Sequence, residues 1–353
     1  LENTPRLDYS GGASCPSLKL EPSRTNAIPN SEYFNTWTAL NDVAITANST
    51  TSPEGVINAS LMSVSGAGSS SRSIRQGSQS TSADIKTMSV FAKANTADYI
   101  QLFHSGDAQG YVNFDLASGV VGTSGTNGTG DIEPMGNDWY RCIATFDSVG
   151  NFGSSVYVGI ATSASAAYGG GSISDTSLSV YIFGAQYEIG NFSTSYIPTY
   201  GVSQTRAQEI ADGVTIDTNA NHTLIYDFNG TTGRETSVAL FNIGYDSSNR
   251  YFIKGTSSSS VNFQVTGVGV FSGSVSPTNE ALGRNKIAVQ WIDGTGYVYS
   301  NGVKLSGTLS NTSSANDINY YKAEGVGYSH GVNQLLIFPT ALTDSEAIAL
   351  TTI

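Results

Sequence analysis

Charge is scarce in this chain of 353 residues: Asp, Glu, Lys and Arg make up 12% of it, against about 25% in an average soluble domain. Basic residues are the scarcer kind, 16 against 28 acidic ones, and they are scattered singly, leaving a net charge of −12. Binding a phosphate backbone relies on clustered Lys and Arg, so nucleic acid is not an expected partner. A small basic cleft for an anionic sugar stays open, although the global field would not steer such a ligand toward it. Cysteine is nearly absent. Cys15 and Cys142 are too few for a disulfide framework and wrongly spaced for a zinc knuckle, and both are expected to be free thiols. No apolar run approaches the roughly 18 residues that cross a bilayer, and no basic start followed by a short apolar segment marks a signal peptide. Membrane insertion is therefore not expected. The 39 glycines show no period of three, which excludes collagen.

What is present points to short strands and many turns. Glycine is joined by 19 tyrosines and by abundant Ser, Thr and Asn, and the length suggests two domains. Residues 1–30 read as an irregular arm, because Pro5, Pro16, Pro22 and Pro29 interrupt every periodicity. From Met88 onward, runs rich in β-branched and aromatic residues recur: Met88–Lys93, Tyr99–Phe103, Tyr111–Leu116, Trp139–Phe146, Ser155–Ala161 and Leu178–Glu188. Between them, 119–130 and 163–171 read as Gly/Ser/Thr-rich loops. A second set of strands follows a polar boundary near 199–212. Within it, Asp293-Gly294 and Asn301-Gly302 predict two hairpin turns. Thr343-Asp344-Ser345-Glu346 is a capping box that predicts one short terminal helix. Strands at this spacing with no helical pattern between them predict antiparallel sandwiches.

Both halves resemble known domains. Leu20-Glu21-Pro22-Ser23-Arg24-Thr25-Asn26, Asn30-Ser31-Glu32-Tyr33-Phe34 and Trp37 resemble the opening of a domain common in phage tail and tail-fibre proteins. Met88–Lys93, Asp138–Cys142 and Gly184–Glu188 continuing to Thr194–Thr199 resemble its later segments. That domain is similar to jelly-roll carbohydrate-binding modules of the galactose-binding-like fold. Lys286–Ile292, Asn301-Gly302-Val303 and Ile337–Thr343 resemble a concanavalin A-like or laminin-G-like lectin domain. Together the resemblances cover about 300 residues. They imply an all-β chain with an irregular leader at 1–29, a jelly roll at 30–200, a linker at 201–211 and a concanavalin A-like module at 212–353. The implied role is non-catalytic glycan recognition by an extracellular or tail-associated protein, with a cell-surface polysaccharide as partner and a homotrimer as assembly. Glu2–Tyr9 resembles the segment that precedes this pair in longer phage proteins, which implies an internal boundary at Leu1.

Sugars are held by aromatic faces stacked on C–H surfaces and by amides and carboxylates that bridge hydroxyls. Trp37, just after Tyr33 and Phe34, is a candidate loop aromatic, with a core position as the alternative. Trp139 and Trp291 sit inside alternating strands and read as core. Tyr297 and Tyr299 share one strand face, and Tyr320 and Tyr321 lie in a loop-like stretch; together they could form a platform, or they are ordinary strand tyrosines. Jelly-roll modules often carry a structural Ca2+ joining the first strand to the last. The resemblance places Glu32 and Glu188 in those segments, with a salt-bridged or solvated pair of glutamates as the alternative.

Polysaccharide lyases and glycosidases also use sandwiches, so a degrading enzyme is the competing reading, and a purely structural spacer is the third. Among the three histidines, His104 and His330 would be the catalytic fallback. Gln101 and His104 would point to opposite faces of a strand, which breaks a likeness to the Gln-x-His strand of alginate lyases. No nucleophile elbow, zinc helix or phosphate loop is present.

Overall fold

The computed structural model describes residues 7–8, 17–66, 71–82, 84–147, 152–212, 221–230, 239–255, 263–277, 283–313, 318, 320–324 and 330–353. Cys15 lies outside them. They form two compact units: Arg24–Arg206, and a second assembled from Leu1–Ser23 with Ala207–Ile353. The architecture is nearly all β, with antiparallel pairing and one short helix at the C-terminus. No helix among the described residues is long and apolar enough to cross a membrane.

The Arg24–Arg206 unit is built on two six-stranded sheets. One runs Val120–Ser124, Tyr111–Asp115, Tyr99–His104, Val156–Ile160, Arg72–Gln76, Thr38–Leu40. The other runs Gly128–Gly136, Trp139–Phe146, Lys86–Ala94, Ser179–Ile189, Ile57–Val64, Val43–Thr51. Alternate residues of both face one core: Ile100, Leu102, Phe114 and Val158 from the first meet Met88, Val90, Phe146 and Ile182 from the second. Cys142 lies in this core as a free, buried thiol.

The unit is closed by its own ends. Arg24–Asn26 pairs with Gln204–Arg206. Buried Asn26 donates to the carbonyls of Ala185 and Ile197 at 3.1 and 2.8 Å, while its Oδ1 accepts from the backbone of Ile28 and Tyr187, both at 3.1 Å. Ser31 and Thr199 exchange hydrogen bonds, Ser31 N to Thr199 Oγ1 at 2.9 Å and Thr199 N to Ser31 Oγ at 2.8 Å. Arg141, also buried, donates to Ser193 Oγ and to the Thr194 carbonyl at 2.7 and 2.6 Å. Many of the residues that carry the resemblance to the tail-fibre domain therefore form a polar clasp that fastens the first segment to the last.

In the second unit an eight-stranded sheet has His330–Phe338, His222–Gly230, Gly283–Ile292 and Thr295–Ser300 at its middle, and Ile210–Asp212, Tyr320–Glu324 and Ala239–Asp246 belong to a six-stranded one. Tyr226 and Phe241 stack at 4.5 Å between ring centroids, and Trp291 meets Tyr251 at 5.5 Å, so aromatic rings join the two layers. Both hairpin turns form as expected: Asp293 and Gly294 have φ of 47° and 80°, Asn301 and Gly302 45° and 80°, the left-handed pairs of a type I′ turn. The capping box forms too, opening the helix Asp344–Thr351.

Several expectations are corrected. The leader is not irregular throughout: Leu7–Asp8 and Ser17–Leu20 are strands at the edge of the second unit's larger sheet. The expected linker 201–211 contains a strand of each unit, Gln204–Arg206 and most of Ile210–Asp212. Their partners, Arg24–Asn26 and Tyr320–Glu324, are more than a hundred residues away and invisible to local periodicity. The stretch 119–130 holds Val120–Ser124 and the start of Gly128–Gly136, not a loop. Its glycines permit close approach between chains: a Cβ on Gly128 would collide with the Tyr111 carbonyl oxygen.

Candidate functional site

At the closed end of the Arg24–Arg206 unit, a short 3-10 turn, Phe34–Thr36, follows the clasp residue Ser31. Residues three apart in such a turn share a face. Phe34 and Trp37 both enter the core, at 1% and 5% exposure. Tyr33, just before them, is turned out to 51% exposure. The last segment of the unit is extended, so its side chains alternate. Ile197 and Thr199 are buried, whereas Tyr196 and Tyr200 face the other way. Tyr200 pairs by an isolated bridge with Asn30 and is 61% exposed. The Tyr33 and Tyr200 rings meet edge to face, with centroids 6.2 Å apart and planes at 66°.

Glu32 stands beside this pair. Its Oε1 accepts from Tyr196 Oη at 3.2 Å and from Tyr200 Oη at 3.4 Å. Its Oε2 accepts no hydrogen bond from the described residues, and no described cation pairs with Glu32 or with neighbouring Glu54. Burial, then the charge of Glu54, pushes the Glu32 carboxyl above its ordinary value. Tyr196 is anchored beneath by Phe91 and Phe183 and by its 2.7 Å bond to Ser31 Oγ. The result is a bent aromatic shelf with a fixed carboxylate whose second oxygen is unclaimed.

Of the sequence candidates only Glu32 belongs to this shelf; the aromatic ones do not. Trp37 is core, its indole N–H donating to the Asn30 carbonyl at 3.0 Å. Tyr299 is fully buried against the C-terminal helix, with Ala347, Ile225 and Ala288 around it. Its hydroxyl is held between Gln290 Oε1 at 2.8 Å and Asp344 Oδ1 at 2.7 Å. Tyr297 is half-buried beside the same helix, with Lys304 Nζ 4.6 Å from its ring centre. The helix thus covers the face that was expected to be a sugar platform. Tyr320 and Tyr321 belong to a strand instead of a loop, paired with Gly244 and Ile243.

His104 is buried, its ring between Phe146 and Phe152 and its Nδ1 donating to its neighbour Ser105's carbonyl at 2.7 Å. Burial pushes its imidazole below the ordinary value. Gln101 points to the opposite face, donating to Asn113 Oδ1 at 2.8 Å and accepting from Gly169 N at 2.7 Å. These two side chains therefore share no cleft. His330 begins the strand His330–Phe338, paired with Leu20, and its side chain lies outside the described residues.

Glu32 and Glu188 do not fit a calcium site. Buried Glu188 already accepts from Gln186 Nε2 at 2.7 Å, Thr194 N at 2.9 Å and Thr194 Oγ1 at 2.8 Å, with Arg24 Nε at 3.9 Å. A hard cation requires several free oxygen ligands. Glu188 offers a carboxylate already filled by donors and a guanidinium. No group of three or more His, Cys, Asp or Glu able to hold a metal occurs among the described residues. At the end of the strand Ala239–Asp246, Asp246 Oδ1 accepts from Ser248 N and Asn249 N at 2.7 and 2.9 Å, a turn that needs no ion.

No family model and no curated protein matches the chain. Solved structures do resemble it. The Ruminococcus gnavus IT-sialidase CBM40 bound to α2,3 sialyllactose aligns at a TM-score of 0.32 and 12% identity, covering 42% of this chain and 97% of that one. A native heptameric SAP-like pentraxin from Limulus polyphemus aligns at 0.33 and 16%, covering 41% and 76%. CG-16, a homodimeric agglutinin from chicken liver, aligns at 0.26 and 13%, covering 37% and 98%. Scores at this level carry no argument about a ligand, so function is argued from this chain's own geometry.

Proposed function

We propose that the chain is a non-catalytic glycan-binding protein that captures saccharide on the Tyr33–Tyr200 shelf. The observation that carries this reading is two tyrosines held more than half exposed beside a carboxylate with an unclaimed oxygen. Exposed aromatic rings are costly to hydrate and gain by stacking on the C–H face of a sugar. A carboxylate oxygen beside them accepts from sugar hydroxyls, and a partner already fixed by phenols loses little freedom on binding. The ring planes at 66° suit a bent ligand surface, a pyranose seated in the corner.

A shelf of this size binds weakly on its own, so adhesion comes from multiplicity. We place the chain in the extracellular or virion-associated setting of a phage tail-type receptor-binding protein, as a homotrimer engaging a polysaccharide. A glycan array probed with the full chain and with Tyr200→Ala tests the reading. A set of neutral glycans bound by the wild type and lost in the variant is the expected result. Equal binding by both, or new reducing ends released from the glycans, overturns it. Light scattering that returns the mass of a single chain at micromolar concentration removes the trimer.

A further inference from the structure

The larger sheet of the second unit carries a polar ladder on one face. Asp227, 2% exposed, receives the guanidinium of Arg284 through Nε at 3.0 Å and Nη2 at 2.6 Å. It also accepts from Asn333 Nδ2 at 3.0 Å. Asn333 and Asn229 exchange amide hydrogen bonds at 3.2 and 3.3 Å. Asn333 is the extra residue of a β-bulge: Asp227 is opposite Gln334 and Phe228 is opposite Val332, so Asn333 has no partner in the register. Bulges re-aim side chains, and this one delivers an amide into the network.

The register adds charge. Arg284 is directly opposite Asn229, Asn229 is opposite Gly331, and Gly331 is opposite Lys19. Directly opposed residues project to the same face. Gly331 contributes no side chain to that row and is itself buried. Lys286, opposite Asp227, completes the group and donates to the Thr352 carbonyl at 2.8 Å. Three of the chain's 16 basic residues thus project to one face of this sheet in a chain of net charge −12. Opposing them are Asp227, already clasped by Arg284, and, at the Lys19 end, Glu21, which is buried and 3.7 Å from Lys19, with Glu209 accepting from the Glu21 backbone at 2.8 Å. Arg284 remains 53% exposed while its orientation is locked from below.

We propose that this ladder is a second saccharide site, one that takes an oxyanion-bearing sugar through Arg284 and the Asn229–Asn333 amides. A guanidinium held in place by a buried carboxylate presents its remaining donors to a carboxylate or sulfate ester with little loss of freedom. Beside it Asn229 keeps one amide N–H to donate and both amide oxygens keep a lone pair to accept, as vicinal hydroxyls require, while both N–H of Asn333 are spent on Asp227 and Asn229. This site belongs to the other unit from the tyrosine shelf and takes a ligand of different charge, so either can fail without the other.

The test is a titration of the full chain, 15N-labelled to observe side-chain Arg and Asn signals, with three probes: an oligogalacturonate, a sulfated oligosaccharide and inorganic sulfate alone. The expected result is saturable movement of the Arg284, Asn229 and Asn333 signals with at least one of the two saccharides, with sulfate alone much weaker. Which saccharide acts separates carboxylate from sulfate ester as the source of the oxyanion. Lys286 makes none of the ladder's hydrogen bonds, and Lys286→Glu reverses one charge beside it; affinity should fall tenfold or more and lose much of its salt dependence. No movement with either saccharide, movement confined to other residues, equal movement with inorganic sulfate, or unchanged affinity in Lys286→Glu would each overturn the proposal.

Discussion

Two tyrosine–carboxylate pairs in this molecule use the same chemistry to opposite ends. In the second unit, Tyr299 Oη lies 2.7 Å from Asp344, whose other oxygen is 2.7 Å from Lys304 Nζ, and a helix closes over the ring. In the Arg24–Arg206 unit, Tyr200 Oη lies 3.4 Å from Glu32, no described cation joins them, and the ring stays in solvent. The electrostatics diverge accordingly. Lys304, then Tyr299, holds the Asp344 carboxyl below its ordinary value, whereas burial, then Glu54, holds Glu32 above its own. A satisfied pair under a lid is a structural joint. Glu32, by contrast, has no cation among the described residues and stands beside two exposed rings.

Substitution should separate the two most sharply at Tyr299. Replacing this buried ring with Ala is expected to cost about 3–5 kcal/mol, read as a lower denaturant midpoint for the second unit, while glycan binding at the shelf persists. Asn26→Ala removes a side chain with four bonds to buried backbone groups. Stranding such groups should cost the Arg24–Arg206 unit about 2–3 kcal/mol in the same measurement. Tyr200→Ala is the mirror image of Tyr299→Ala: stability within about 0.5 kcal/mol of wild type, and glycan affinity down tenfold or more by calorimetry.

Smaller effects sharpen the contrast. Thr343→Ala deletes the hydroxyl that caps the covering helix, with an expected cost of about 1 kcal/mol in chemical denaturation. Glu32→Gln should act on stability in the opposite direction. Because the folded carboxyl titrates above its ordinary value, the protonated form is favoured by folding, and stability is lost as pH rises from the ordinary value through the raised one. The amide should therefore raise the melting temperature at pH 7, leave it unchanged below the ordinary carboxylate range, and weaken glycan binding. Addition of a chelator should leave the melting of the Arg24–Arg206 unit where it is, since Glu188's oxygens are already filled.

Local chemistry in the sequence announced local structure. Asp293-Gly294 and Asn301-Gly302 declared their turns because few residues tolerate positive φ, and Thr343 with Glu346 declared the helix start. The destination of that helix was not legible. Tyr299 and Asp344 meet across 45 residues, and strand alternation says which residues share a face without saying what covers it. Likewise the stretch from Asn30 to Trp37 did not show which of its rings faces solvent: the 3-10 turn sends Phe34 and Trp37 inward together, the core alternative for Trp37, and leaves Tyr33 outside. Tyr200 carried no local signal beyond its alternation with Ile197 and Thr199, and its partner Glu32 is 168 residues away.

The most direct test of the account is a crystal structure of the chain soaked with an oligosaccharide that it binds in solution. The account predicts a sugar ring against Tyr33 and Tyr200 with a hydroxyl on the free oxygen of Glu32. A neutral sugar bound elsewhere, with that shelf bare, would contradict it.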